Sequence, residues 1–280
     1  MRYVTVESGG VSRAVAQKKN LDGFVKPGEL VEMRAGAHLS LHDRRIFNLL
    51  IDNAWSEIGE NKTHRIAIAR LRGPRHKGGE MVADSVKALM SSLVEVPTTL
   101  EGQPAIFATQ LLGPTTRTID ESNPNAVLLY KFHDDLRRII QESRYWGRIK
   151  SHVMFAFTSK YALALYEAVC LRANLRVSEQ TFDVDDFREL LGVEKGQYPG
   201  FPQLKQRALD PAVTEINGLS DFNVEIEPLR EGGLSRGKLT GFRLWWEKKS
   251  QEEWRAVLDE LNRPKVGRRA RIRGKIEAVV

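Results

Sequence analysis

Residues 202–249, PQLKQRALDPAVTEINGLSDFNVEIEPLREGGLSRGKLTGFRLWWEKK, decide the fold. Leu204, Ala208, Ala212 and Ile216 recur every four residues, which predicts a helix with one apolar face. Pro202 suits the first helical turn, where its missing N–H costs nothing. Pro211 removes one backbone hydrogen bond, which predicts a bend. Gly218 is expected to stop the helix. FNVEIEPL and GFRLWWEKK then read as two alternating strands joined by the Gly-rich REGGLSRGKLT. A helix followed by such a hairpin is the latter part of a winged helix, with the helix as reader and the hairpin as wing.

The segments upstream supply the rest of that plan. Thr158 or Ser159 can cap a helix over YALALYEAVCLRAN, with Leu163, Tyr166, Val169 and Cys170 facing inward. FDVDDFRELLG reads as a short helix started by Asp183 and closed by Gly192 in the left-handed conformation. The first half has the same order. Ser40 and Asp43 form a capping box with Asp in place of Glu, ahead of a helix carrying Ile46, Phe47, Leu49, Leu50, Ile51 and Ala54. A second helix is expected at about 80–94, with Met81, Val82, Val86, Leu89, Met90 and Leu93 as its stripe. Strand-like runs, a strand over AVLLYKF (126–132) and a short helix over DDLRRIIQE follow. The fold class is therefore read as α+β, two tandem winged-helix domains with a basic C-terminal tail. The boundaries are an arm at 1–27, domains at 28–150 and 151–249, and a C-terminal helix with the tail at 250–280.

Charge separates these parts. The chain has 280 residues and a net charge of +7, from 43 Lys+Arg against 36 Asp+Glu. Residues 263–275, RPKVGRRARIRGK, hold seven basic residues and no acid, so the rest balances at 36 against 36. The domain at 151–249 has 13 basic and 14 acidic residues, net −1. A composition of 41% hydrophobic and 28% charged residues excludes wholesale disorder. No apolar stretch reaches the ~20 residues that span a bilayer, so no membrane is expected. The first residues show no apolar secretory core, and the single Cys170 fits a reducing cytoplasm and a place in the core.

Catalytic signatures are weak. Gly232, Gly237 and Lys238 have the spacing of a phosphate-binding loop, but Leu239 follows where Ser or Thr is needed, and the loop joins two strands rather than opening a helix. His38 and His42 lack the further ligands of a metal site. Asp183, Asp185, Asp186 and Glu189 cluster at a helix start, where acids favour the dipole. No catalytic residue, metal or cofactor is expected.

Nucleic-acid signals are stronger. Gln203, Gln206, Arg207 and Asp210 lie off the apolar stripe of the reading helix; Gln and Arg can pair with adenine and guanine edges, and Lys205 can also reach base edges or phosphate. Arg236 and Lys238 sit on the wing. In the first half Ser85, Lys87 and Ser91 take similar outward positions. KTHRIAIARLRGPRHK (62–77), with Arg72, Arg75 and Lys77, has no acid and suits phosphate; it also suits a solvated strand and loop.

These segments resemble a known family. SKYALALYEAV, FRELLGV, YPGFPQLKQRALDPAVTEIN and the hairpin ending GKLTGFRLWW are similar to the second winged-helix domain of Rep-type plasmid replication initiators, the iteron-binding proteins of theta replication. The signature comprises Tyr198, Phe201, Leu204-Lys205, Ala212-Val213 and Glu215-Ile216-Asn217. LSLHDRRIFNLLIDNAW through VLLYKF looks, more loosely, like the first domain. The resemblance implies a protein that is not an enzyme. It would bind double-stranded DNA at direct repeats of an origin, help open an adjacent A·T-rich segment, and recruit the host initiator and replicative helicase. It also implies a monomer–dimer equilibrium, with the dimer formed through the first domain and repressing the initiator's own gene at an inverted repeat. The first domain would position the protein and the second would choose the sequence. A winged-helix transcriptional regulator remains the alternative, and a nicking enzyme is a third reading. The tail lies outside the likeness and reads as a phosphate-binding arm.

Overall fold

Ser40 starts the first domain as a capping box: its hydroxyl accepts from Asp43 N at 3.1 Å, and the Asp43 carboxylate accepts from Ser40 N at 2.8 Å. The computed structural model that shows this describes residues 23–35, 39–72, 82–233 and 237–274. By internal contacts the chain divides into two units, Met1–Arg148 and Ile149–Val280.

In the first unit, β1 (Phe24–Pro27), α1 (Gly28–Val31) and β2 (Arg34–Ala35) precede the capped helix α2 (Leu41–Ala54). Ile46, Leu50 and Ile51 of α2 are fully buried. β3 (His64–Ala67), α3 (Ile68–Leu71) and α4 (Val82–Ser91) follow. A hairpin of β4 (Leu93–Leu100) and β5 (Gln103–Gln110) then turns through Glu101 and Gly102, both with positive φ, as a two-residue loop requires. β6 (Thr115–Arg117), β7 (Val127–Tyr130), α5 (Asp134–Glu142) and β8 (Trp146–Ile149) complete it. The sheets run β2-β4-β5, β3-β7-β6 and β1-β8.

Three expectations change here. Residues 24–27 are not part of a loose arm: Phe24 and Val25 are fully buried, and the strand pairs with β8. Residues 1–22 lie outside the described residues, as do Met81, His38 and His76. The 62–77 run contains a strand and a short helix, because Ile66, Ile68 and Leu71 bury between its cations. Leu93 leaves the expected helix stripe; it opens β4 and is 53% exposed.

The second unit holds α6 (Ser151–Ala156), α7 (Lys160–Arg172), β9 (Glu179–Asp183) and α8 (Val184–Leu191). Ser159 is the cap of α7, accepting from Tyr161 N and Ala162 N. Asp183 caps α8, and Gly192 closes it at φ 70°, as expected. Phe182 and Asp183 precede the helix as the end of β9, which pairs with β11. The long helix runs as α9 (Phe201–Leu204), a π-helical stretch (Lys205–Leu209) and α10 (Asp210–Leu219). Asp210 N–H reaches the Lys205 carbonyl five residues back. The irregularity expected from Pro211 thus appears as a widened turn just before it. β10 (Phe222–Arg230) and β11 (Leu239–Lys248) form the hairpin in a sheet of order β10-β11-β9. Gly241 is required at the β9 crossing, since a Cβ there would stand 2.3 Å from the Phe182 carbonyl. α11 (Gln251–Asn262) and α12 (Arg268–Arg271) follow. Val257 of α11 is buried, and Trp254, Leu258 and Leu261 are half-buried.

Gly218 does not stop its helix. The helix continues to Leu219, and Gly218 makes room for Ile272, whose Cβ and Cγ2 would lie 2.6 and 2.8 Å from an added methyl. The basic tail is correspondingly not a bare arm over its described part. Arg268 is 7% exposed, and Arg271 holds Glu260 at 2.7 Å.

Gly218→Ala is expected to destabilise the chain by about 1–3 kcal/mol of overpacking and so lower its unfolding temperature, although Ala is the better helix former by about 1 kcal/mol. On an Ile272→Gly background the same change should become neutral or stabilising. Thermal unfolding of the four proteins checks this, and stabilisation by Gly218→Ala with Ile272 in place would contradict it.

Candidate nucleic-acid interface

The reading helix of the second unit is fixed by its own buried polar residues. Glu215, 5% exposed on α10, accepts from Thr158 N at 2.8 Å, Ser159 N at 3.1 Å and the Thr158 hydroxyl. It thereby caps α7 from another element. Asn217 accepts from Val224 N at 2.7 Å and donates to the Val224 carbonyl at 3.0 Å, which fixes β10 against the same helix. At its C-terminal end Lys249 Nζ donates to the Ser220 carbonyl at 2.9 Å; burial draws its pKa down to about 8.

The turn before the helix is fixed as firmly. Arg188 donates to the Tyr198 carbonyl at 3.0 Å and also to that of Gln197, and Tyr198 has a φ of 50°. The Tyr161 hydroxyl donates to Gln197 Oε1 at 3.2 Å, and burial raises the pKa of this phenol, keeping it a donor. The Arg230 guanidinium lies 5.2 Å from the Phe201 ring and donates to the Gly237 carbonyl at 2.8 Å, linking wing and helix start. The sequence reading singled out none of Arg188, Arg230 or Tyr161 for this role, because their partners are backbone atoms or rings that no motif marks.

On this frame Gln203, Lys205, Gln206 and Arg207 are all exposed, while Leu204, Ala208 and Leu209 are buried. The first four are thus open to solvent over the first turns of the helix, on both sides of the start of the π turn. Arg207, Gln203 and Gln206 make no hydrogen bond or ion pair among the described residues. Lys205 Nζ instead stands 2.5 Å from Asp210 Oδ1, five residues on, with both side chains about half exposed. The pair sits at the mouth of a cleft of about 250 Å³ between helix and hairpin, floored by Leu209, Val213, Ile226 and Phe242. Lys238 is exposed at the start of β11, and Arg236 lies outside the described residues.

The first unit changes more. Ser85 does not point outward: it is 3% exposed, and its hydroxyl donates to Asp43 Oδ1 at 2.5 Å, joining α4 to the capping box of α2. Arg72 is not free for phosphate either. It donates to the Glu121 carbonyl at 2.5 Å and pairs with the Glu121 carboxylate at 3.6 Å. That carboxylate accepts from Val82 N and Ala83 N at 3.1 and 2.8 Å, so it caps α4 from a distant loop. Glu121 is the functional support that sequence reading missed. Lys87 is 74% exposed, with Asp84 3.9 Å away, and the exposed Ser91 donates to its own helix at the Ala88 carbonyl. Arg75 and Lys77 lie outside the described residues.

Chemically, this arrangement offers hydrogen-bond donors and cations on rigid helices. Among the described residues no cluster of His, Cys, Asp or Glu could hold a metal ion. Cys170 is buried, and burial holds its thiol well above the usual pKa. Gly232 and Lys238 stand between two strands, so they open no helix onto a phosphate. No helix among the described residues is long and apolar enough to cross a membrane.

Known proteins fit this geometry. The family described as initiator replication protein, WH1, matches residues 24–170, and initiator Rep protein, WH2, matches 183–243. The crystal structure of Pi initiator protein in complex with iteron DNA is similar at a TM-score of 0.55 and 15% identity, over 82% of this chain and 98% of that one. Domains 2 and 3 of RctB, solved as a selenomethionine derivative, reach a TM-score of 0.45 and 9% identity, over 82% of this chain and 93% of that one. No curated protein sequence matches the chain. The fold is thus a tandem pair of winged helices of mixed helix and sheet.

Asp210→Asn removes the carboxylate paired with Lys205 and leaves that ammonium open to an anion such as phosphate. Binding to random duplex DNA is expected to strengthen several-fold, with log K falling more steeply against log salt by about one phosphate contact. A titration across a salt series checks this; an unchanged slope would show that the pair does not compete.

Proposed function

We propose, for a chain that belongs to the initiator Rep protein family through both its winged-helix domains, that it is an origin-binding replication initiator of a plasmid. The observation that carries the reading is the exposed set Gln203, Lys205, Gln206 and Arg207 on a helix tied through Glu215 to α7 and through Asn217 to β10, after a turn held by Arg188. Such a set enters a major groove and reads base edges, Arg at guanine and Gln at adenine. The similar Pi initiator was solved on iteron DNA, which supports direct repeats as the target here.

In this reading the second domain selects the sequence and the first, through Lys87, Arg75 and Lys77, positions the protein on phosphates. Two winged helices can occupy successive major grooves on one face of the duplex, about one turn or ~10 bp apart. Monomers bind the repeats, promote opening of an adjacent A·T-rich segment in the cytoplasm, and hand it to the host initiator and replicative helicase. Dimers bind an inverted repeat and repress the gene. The chain acts by binding and deformation, with no covalent chemistry of its own.

A footprint on the DNA flanking its own gene tests this. Protected tandem direct repeats are expected with monomer-enriched protein. A lone inverted repeat would make the protein a transcriptional regulator instead, and Mg²⁺-dependent nicking of supercoiled origin DNA would make it an enzyme. Arg207→Ala is expected to cost ~1–3 kcal/mol on the repeat and to relax preference at one base position. Equal weakening on every sequence would make Arg207 a phosphate contact.

A further inference from the structure

We propose that the C-terminal segment 263–274 is a second phosphate-contacting surface, seated on the last turn of the reading helix, with Arg269 and Arg273 as its contacts. The inference rests on the DNA-binding reading above and adds a site outside both family matches, which end at residue 243.

The segment is built rather than loose. Glu260 near the end of α11 accepts from Arg271 Nε at 2.9 Å and Nη2 at 2.7 Å, and from Arg268 Nε at 3.4 Å. Arg268 Nη2 further donates to the carbonyls of Glu260, Leu261 and Arg263, at 3.0–3.1 Å. These two arginines cross-link the end of α11 to α12 as a clasp. Hydrogen bonding to Arg271 first, with the two guanidinium charges and the Arg268 bond, outweighs the opposing effect of burial and leaves the Glu260 carboxyl below its usual pKa, so the clasp stays charged. The clasp sets Ile272 on Gly218, in the last turn of the reading helix.

The clasp divides the basic run by role. Arg268 and Arg271 are used internally. Arg269 and Arg273, one helical turn apart in sequence, are exposed and make no hydrogen bond or ion pair among the described residues. No carboxylate lies between Asn262 and Gly274 to neutralise them. Their location suggests the partner. From Phe201 to Leu219 the reading helix is about 28 Å long, against a major groove about 12 Å wide. If its N-terminal row enters the groove, its far end emerges beside the flanking phosphates. Cations placed there suit a DNA backbone, and they serve a domain whose body at 151–249 is net −1.

The test uses the full chain with Arg269→Gln/Arg273→Gln, titrated across a salt series against a duplex carrying its own origin repeats and against a random duplex. The slope of log K against log salt is expected to fall by about two contacts, each worth roughly 0.9 on B-DNA. Affinity should fall by the same factor on both duplexes, leaving their ratio unchanged, with the thermal unfolding temperature of the wild type. The single variants should each remove about one contact, which keeps the test intact if the double variant folds poorly. An unchanged slope in a folded variant overturns the inference, including the case where the surface engages an acidic protein instead. So does an altered preferred sequence. Wild-type protein that binds neither duplex would sink the functional reading itself, a different result.

Discussion

The buried carboxylate of Glu215 holds the second domain together. It sits on the reading helix, yet its oxygens satisfy Thr158 and Ser159 at the start of α7, the helix on which the domain is built. A carboxyl group at 5% exposure would be costly without such partners. With three donors it becomes a tie between elements far apart in sequence. Sliding the reading helix by one residue would strand both the carboxyl group and the two backbone N–H groups. The setting of Gln203 and Arg207 is therefore fixed in part by a buried residue further along the same helix.

The first domain solves the same problem with different residues. Asp43 caps its own helix with one oxygen and accepts from Ser85 of α4 with the other. Glu121 caps the start of α4 and is flanked by Arg72 and Arg117. In both domains, polar groups that a charge count assigns to the surface are spent on holding the third helix. Other cations stay exposed, among them Lys87 on α4, Arg207 on the reading helix, Lys238 on the wing, and Arg269 and Arg273 after the clasp.

Much of this architecture is legible in the sequence because its signals are local. The Ser40–Asp43 box, the Asp183 cap, Gly192 in the left-handed conformation and Pro202 in the first turn each act within a few residues, and each stands where spacing puts it. The apolar stripe Leu204, Ala208, Ala212 and Ile216 is buried throughout, despite the π turn inside it. Glu215 and Asn217 are visible as part of a family signature, but only as letters; their bonds to Thr158, Ser159 and Val224 supply the reason.

The sequence by itself determined the order of helices and hairpins and the face each buries, because periodicity and capping are short-range properties of the chain. Tertiary structure alone decided how individual polar residues are used. Ser85 carries the same outward-looking spacing as Lys87, and Arg268 the same composition as Arg269, yet one of each pair is buried and bonded. Gly218 reads as a helix stop and proves to be a seat for Ile272, 54 residues later. Partners such as Asp43 with Ser85, or Glu121 with Val82, meet only after the chain has folded back across some forty residues. A separation of that length has no local periodicity to announce it.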